Sequence, residues 1–399
     1  MSPSRSPIPF FLSLAVLAAV VTSALYINLD LPYLGFAAAS AFLFHVHSKP
    51  GWKQLLLAVA IAVVLGGLRL WVIGYPPDMS GFKAAMLGLG SFLVLGIRAA
   101  KSTGTERKRL FVLLGPALGL VIFIFAVQHA LNLTGRLYPK TFDLYLYVFD
   151  GSFGFQPSFA LGRLFHASAP IRILGYLTYQ TLPLAMALVY LGYIDPHATK
   201  PNWNLLRLFF GTGLLGWLFY NFVPATGPVY AFPGAFPNGA PPQLQLLLQR
   251  ISVNPDFPRN AIPSLHMTWV LLLWWSCRPF PRWARVASLL YLLGTLLATM
   301  GTGEHYFVDL VAAVPFALTV EALCQSSIPF RTRLLPLFAG LSLTFMWLAL
   351  VRFGAPLVLK SSLLPWTLTA LSTLAVLFLE PRLTTLFPRK PASILPHQS

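Results

Sequence analysis

Residues 110–130, LFVLLGPALGLVIFIFAVQHA, form a continuous apolar run that contains no Lys, Arg, Asp or Glu. A helix of this run is long enough to cross the hydrocarbon core of a bilayer, which takes about 20 residues. Three basic residues, Arg107, Lys108 and Arg109, come just before it. An uncharged apolar run beside a cluster of basic residues is typical of a transmembrane helix and its adjoining loop.

The whole chain has the composition of a membrane protein. Of its 399 residues, 56% are hydrophobic and only 10% are charged, and the mean hydropathy is +0.70, whereas soluble domains carry roughly 25% charged residues. This excludes an ordinary soluble protein. The apolar runs are continuous and do not alternate residue by residue, which excludes an outer-membrane barrel. The two cysteines, Cys277 and Cys324, provide neither a disulfide framework nor a metal-binding spacing.

Apolar runs bounded by charge, Pro or Gly predict an all-α polytopic bundle of about 12 transmembrane spans. The first run is interpreted as a retained anchor and not as a cleaved signal peptide. The predicted spans are Ile8–Ile27, Leu31–Phe44, Leu55–Ile73, Phe82–Ile97, Leu110–Ala130, Ile173–Leu191, Trp203–Val223, Ser264–Cys277, Val286–Met300, His305–Cys324, Leu334–Val351 and Leu363–Leu379.

The distribution of basic residues predicts the orientation of the bundle. With the N-terminus inside, seventeen of the 28 Lys and Arg fall in inner segments and nine in outer ones. Basic residues in short loops mark the cytoplasmic side. We therefore expect both termini to be cytoplasmic and the long loops 131–172 and 224–263 to face the periplasmic, extracellular or lumenal side. The formal charge of +17 is then topological, and no nucleic-acid partner is predicted.

One candidate site lies where the second long loop ends. Residues 259–266, RNAIPSLH, close a Pro-rich stretch and open a predicted helix. Pro263 and Ser264 suit a helix start, where unpaired backbone N–H groups and the helix dipole favour an anion. This arrangement predicts a site of the size of a phosphate.

A second motif, residues 301–309 with the sequence GTGEHYFVD, turns on glycines between two predicted helices. His305 and Asp309 are four residues apart and so share one helix face, where a carboxylate can orient one imidazole nitrogen and raise the basicity of the other. Taken alone, such a pair is as often a helix cap or an interfacial salt bridge. Both motifs fall at the same predicted depth, however, and ionisable residues at membrane depth are usually functional.

These two motifs resemble those of a known superfamily. Residues 263–266, PSLH, resemble the Pro-Ser-x-His second motif of the type 2 phosphatidic acid phosphatase and haloperoxidase superfamily, and His305 with Asp309 resembles its His-x-x-x-Asp third motif. The longer stretches 261–266 and 304–309 are similar to the inositol phosphorylceramide synthase branch, an inositolphosphotransferase, and to its bacterial relatives.

The resemblance implies a division of the chain. Residues 110–324 would form a six-helix catalytic core. Residues 1–109 would be accessory N-terminal spans, and residues 325–399 would be C-terminal spans with a short cytoplasmic tail.

The resemblance also implies a role for each motif residue. His305 would be the nucleophile that takes up the phosphoryl group, and Asp309 would orient it. His266 would protonate the leaving oxygen and then activate the acceptor, while Ser264 would hydrogen-bond a phosphate oxygen. This chemistry requires neither a metal nor another cofactor.

The chain departs from the superfamily pattern at its expected phosphate-binding cation. The third motif usually begins with Ser-Arg, but Ala298 and Thr299 stand at these positions, and the first motif has no clean match. A substitute must come from the outer loops. Arg259, five residues before Ser264, is the best placed, and Lys140 and Arg136 in the first long loop come next.

The sequence therefore predicts an integral-membrane lipid phosphatase or phosphotransferase that acts at the outer face on a membrane lipid phosphate. Whether the acceptor is water or an alcohol such as inositol stays open. A secondary transporter is the alternative of another class, but its site would lie near the bilayer midplane and its halves would often repeat. A zinc hydrolase that uses both motif histidines and Asp309 lacks the compact spacing common among zinc ligands.

The loop 224–263 is long and apolar, with Tyr230, Phe232, Phe236 and the stretch Leu244–Leu248. We expect it either to cover the site or to hold a lipid tail. A covered site would favour transfer to an alcohol over hydrolysis.

Overall fold

Helices form nearly all of the regular structure in the computed structural model, which describes residues 32–76, 79–195, 197–239, 241 and 248–384. Two short strands complete it. The elements are α1 (Pro32–His47), α2 (Trp52–Ile73), α3 (Met79–Lys101), α4 (Gly104–Leu137), β1 (Lys140–Thr141), α5 (Asp143–Gly151), α6 (Pro157–Ala167), α7 (Ala169–Gln180), α8 (Leu182–Tyr193), α9 (Trp203–Tyr220), α10 (Pro228–Ala231), β2 (Ile251–Ser252), α11 (Leu265–Ser276), α12 (Arg282–Gly301), α13 (Phe307–Cys324), α14 (Phe330–Phe353), α15 (Ala355–Val358), α16 (Leu363–Leu379) and α17 (Pro381–Thr384).

Seven helices among the described residues are long and apolar enough to cross a membrane, namely α2, α3, α4, α12, α13, α14 and the segment Leu363–Leu383. The bent pair α7 and α8 raises this number to eight if it forms one span. The protein is thus an all-helical integral membrane protein, but the predicted count of 12 spans is not confirmed. Helix α11 has only 12 residues, too few to cross the hydrocarbon core. The predicted span Ile8–Ile27 lies outside the described residues.

The described residues form two compact units. The first comprises the described residues up to Phe125 together with Gln180–Asn202. Within it α1 and α3 pack backbone against backbone, because a Cβ at Gly88 would lie 2.0 Å from the carbonyl oxygen of Ala38. Small residues at such crossings let membrane helices approach closely.

The second unit comprises Ala126–Tyr179 and the described residues from Trp203 onward, and it carries both sequence motifs. Helix α13 lies at its centre, with α9, α11 and α14 packed around it. Apolar side chains lie on every face of α13, and almost all of its residues are buried, Asp309 and Glu321 included, as expected for a helix that its neighbours surround. The motif residue Asp309 therefore stands in the first turn of a helix that neighbours hold on all sides.

The two long loops are joined by a small sheet. Strand β1 pairs antiparallel with β2, with Lys140 opposite Ser252 and Thr141 opposite Ile251. Nearby, the backbone N–H of Val253 donates to the carbonyl of Pro139 at 3.2 Å. The first long loop is thereby fixed to the loop that leads into the motif at residues 259–266.

Candidate active site

Ser264 begins helix α11 and faces the second motif. Its side chain accepts a hydrogen bond from the backbone N–H of Met267 at 3.4 Å, and its backbone N–H donates to the carbonyl of Asp309 at 3.1 Å. The second bond fixes the start of α11 to the first turn of α13. As a result, Ser264 Oγ lies 3.2 Å from Nε2 of His305.

His305 stands in the turn between α12 and α13. Gly303, with φ +78°, reverses the chain just before it, and the backbone N–H of His305 donates to the carbonyl of Thr299 at 3.2 Å. The side chain is only 2% exposed. Its Nδ1 lies 3.4 Å from Oδ2 of Asp309, so one ring nitrogen faces the carboxylate and the other faces the Ser264 hydroxyl.

Burial keeps the imidazole of His305 neutral. Desolvation lowers its pKa from 6.5 to about 4, against smaller opposing effects from the Glu304 carboxylate and the Ala261 backbone. At neutral pH one of the two ring nitrogens therefore carries no proton, and its lone pair can attack. A neutral imidazole is the form that can act as a nucleophile.

Two buried acids that sequence reasoning missed hold this turn in place. Asp150 accepts hydrogen bonds from the backbone N–H groups of Phe307 at 2.7 Å and Val308 at 3.0 Å, so it caps the start of α13. Asp143 accepts from the Tyr306 hydroxyl at 3.1 Å and from the backbone N–H of Gly227 at 2.8 Å. The two carboxylates therefore hold residues 306–308, which directly follow the nucleophile candidate, and Asp143 also holds the loop at Gly227.

A sequence signal for these acids does exist. Asp143 and Asp150 are seven residues apart and so share one face of α5. Desolvation raises the pKa of both carboxyls, that of Asp150 to about 7. Burial on this scale is tolerated because several N–H and O–H donors satisfy each carboxylate.

His266 lies in the first turn of α11, two residues after Ser264. Its imidazole stacks on the ring of Tyr179, with centroids 3.9 Å apart and planes 18° apart. The Tyr179 hydroxyl donates a hydrogen bond to Glu304, the residue next to His305. The two motif histidines are thus connected through a tyrosine of α7 that sequence reasoning did not identify.

Arg259, predicted as a phosphate ligand, is engaged elsewhere. Its guanidinium is fully buried, and all five of its N–H donors have backbone carbonyl partners. These partners are Tyr138 for Nε, Asn254 and Phe257 for Nη1, and Gly135 and Val253 for Nη2, at 2.7 to 3.4 Å. A phosphate contact would require these bonds to break. Lys140 and Arg136, the other predicted cations, lie exposed on β1 and at the end of α4.

The loop after α9 packs onto the second motif. The backbone N–H of Val229 donates to the carbonyl of Gly303 at 3.0 Å, and the Phe236 ring occupies the space beside Gly303 and Gly162, where a Cβ would lie 2.6 and 2.5 Å from ring atoms. The predicted aromatic stretch thus contacts the turn that carries His305. Residues 242–247, which include most of the stretch Leu244–Leu248, lie outside the described residues.

The described residues hold no group of three or more His, Cys, Asp or Glu side chains that could bind a metal ion.

Comparison with curated proteins and with solved structures found no significant match. The sequence model of the PAP2 superfamily matches residues 144–323, a segment that contains Ser264, His266, His305 and Asp309. The match does not single out the inositol phosphorylceramide synthase branch. It supports a place for this segment in the PAP2 superfamily, whose members are typically phosphatases.

Proposed function

We propose that this protein is a lipid phosphatase or phosphotransferase that cleaves a lipid phosphate ester through a phosphohistidine at His305. The observation that carries the proposal is the alignment of His305 between Asp309, 3.4 Å from Nδ1, and Ser264, 3.2 Å from Nε2. A nucleophile held by an orienting carboxylate on one side and facing a hydrogen-bonding hydroxyl on the other is typical of covalent catalysis. The phosphoryl group would lie next to Nε2, with one oxygen on the Ser264 hydroxyl.

In the first step the lone pair of His305 Nε2 attacks phosphorus and forms the P–N bond. The bond from phosphorus to the lipid oxygen breaks, and its electron pair passes to that oxygen, which takes a proton from His266. In the second step His266 removes a proton from the acceptor, whose oxygen attacks phosphorus. The P–N bond then breaks, and its electrons return to His305.

The acceptor determines whether the enzyme is a phosphatase or a transferase. Water would release inorganic phosphate, and an alcohol would give a new phosphate ester. We propose water as the acceptor. The aromatic loop that contacts Gly303 supports the alternative, an inositol phosphorylceramide synthase-like transfer, because an apolar cover limits the access of water.

We further propose that the reaction takes place at the outer face, with both termini in the cytoplasm. The excess of basic residues in the opposite loops supports this orientation. The catalytic core would occupy residues 110–324, and the remaining spans would be accessory.

Trapping the intermediate tests the proposal directly. Purified protein in detergent is incubated with ³²P-labelled phosphatidate, with a prenyl diphosphate, or with phosphatidylinositol plus ceramide, and phosphate release is followed against transfer. After an alkaline quench, which preserves phosphohistidine, the label should appear on wild-type protein and be absent from His305→Ala.

A matched control is His166→Ala, since His166 is an exposed histidine of α6 in the same unit. It should retain both turnover and label. A His305→Ala variant that kept more than a tenth of the activity would refute the assignment of the nucleophile. A new phosphodiester made in place of inorganic phosphate would overturn the hydrolytic interpretation.

A further inference from the structure

We propose that Tyr179 is a positioning residue for the reaction, because it fixes the imidazole of His266 by stacking and is itself fixed by Glu304. The inference rests on the proposed function and deepens it. It concerns the group that delivers the proton to the leaving oxygen.

The contact between the two rings is close and face to face. The centroids of Tyr179 and His266 lie 3.9 Å apart with an interplanar angle of 18°, and Tyr179 is only 2% exposed. The indole of Trp269 meets the same imidazole edge-on, with the centroids 6.2 Å apart. The imidazole is therefore stacked on one aromatic ring and has a second one perpendicular to it, which restricts the rotamers available to it.

Tyr179 is held at both ends. Its hydroxyl donates to the Glu304 carboxylate. Its backbone is set by the neighbouring Thr178, whose carbonyl accepts a hydrogen bond from the hydroxyl of Tyr291 on α12. Helices α7 and α12 are in close contact here, since a Cβ at Gly294 would lie 2.8 Å from the Thr178 side chain.

This geometry relates the general acid to the nucleophile. Glu304 immediately precedes His305 in the chain. The Tyr179 hydroxyl is therefore bonded to the side chain next to the nucleophile, while the Tyr179 ring stacks on the imidazole of His266. The distance and angle between the two histidines are thus set partly through Tyr179. Burial and the neighbouring His305 lower the pKa of His266, and the face of the phenol ring, which attracts a cation, opposes this effect.

A leaving-group comparison separates this role from simple packing. An alkyl lipid oxygen must be protonated as it leaves, whereas a 4-nitrophenolate leaves without a proton. We expect Tyr179→Leu to lower kcat about 100-fold on a short-chain phosphatidate, within the usual range for loss of general acid help. On a 4-nitrophenyl phosphate that carries an alkyl chain, the same variant should lose less than about threefold.

Further variants show which contact of Tyr179 causes the loss on phosphatidate. Tyr179→Phe keeps the ring and loses the bond to Glu304, so it should show a smaller loss with the same dependence on the leaving group. His266→Ala should reproduce the pattern of Tyr179→Leu, and the double variant should lose little more than His266→Ala alone. The control is Tyr176→Leu, which removes an exposed tyrosine ring from the same helix α7. It should affect both substrates equally.

Equal losses on the two substrates in Tyr179→Leu, or no loss on phosphatidate, would overturn the positioning role while leaving the proposed function intact. A wild-type protein that turned over neither substrate and took no label at His305 would instead overturn the proposed function, and this inference with it.

Discussion

Replacing Arg259 by lysine should destabilise the protein and leave substrate binding almost unchanged. Arginine donates to five backbone carbonyls, those of Gly135, Tyr138, Val253, Asn254 and Phe257. Lysine has at most three N–H donors and no planar fork, so at least two carbonyls lose their partner. At ~1 to 3 kcal/mol for each buried group left unsatisfied, the free energy of unfolding should fall by about 2 to 6 kcal/mol.

The assay is thermal unfolding in detergent together with kinetics per folded molecule. We expect Arg259→Lys to unfold at a clearly lower temperature, with a KM within twofold of wild type at a temperature where the variant is folded. Arg285→Lys is the matched control, since Arg285 lies exposed on α12, and it should change neither quantity. A stable Arg259→Lys variant with a KM raised tenfold or more would refute the structural role of Arg259 and would support its predicted contact with phosphate.

Three further outcomes are expected. Because burial lowers the pKa of His305 to about 4, the neutral nucleophile persists on acidification: kcat/KM for an aryl phosphate, corrected for the substrate's own ionisation, should be nearly equal at pH 7 and pH 5. A histidine with the ordinary pKa of about 6.5 would lose roughly 25-fold over this interval, and a loss of that size would contradict the burial argument. Asp150→Asn places an amide NH₂ where a carboxylate oxygen now accepts hydrogen bonds, so we expect a loss of about 2 to 4 kcal/mol in stability, seen as a lower unfolding temperature; an unchanged temperature would mean that the cap is dispensable. A cysteine at Asn238 should react with a membrane-impermeant maleimide added from outside and one at Thr105 should not, since both positions are exposed and both native cysteines are buried; the reverse labelling would place the site in the cytoplasm.

Local rules predicted the part of the site that depends on local geometry. The spacing of His305 and Asp309 indicated that they share a face, and the N-cap propensity of Ser264 indicated the start of a helix. In the structure Ser264 is the N-cap of α11. Nδ1 of His305 faces Asp309, but His305 lies in the turn before α13 and not on the helix as predicted. Neither inference required knowledge of any other element.

Features set by tertiary packing could not be obtained in this way. Arg259 was a reasonable phosphate ligand by distance along the chain, but its partners come from the end of α4 and from the turn around Val253. Tyr179 lies 87 positions before His266 in the sequence. It falls inside the predicted span Ile173–Leu191, where no local pattern relates it to His266. Helix α11 was expected to cross the membrane because its residues are apolar, but the helix has only 12 residues, and nearly all of them are buried by the rest of the chain.

The carboxylates around His305 have a physical consequence for the proposed reaction. In the resting state the imidazole is neutral, so the Asp309 carboxylate 3.4 Å from Nδ1 and the adjacent Glu304 do not face a full positive charge. When Nε2 bonds to phosphorus, positive charge develops on the ring, and both carboxylates then stabilise it. Interactions that strengthen only as the reaction proceeds lower the barrier without tightening substrate binding. The same acids would repel a free phosphate anion, so acidic surroundings favour the covalent intermediate over the bound anion.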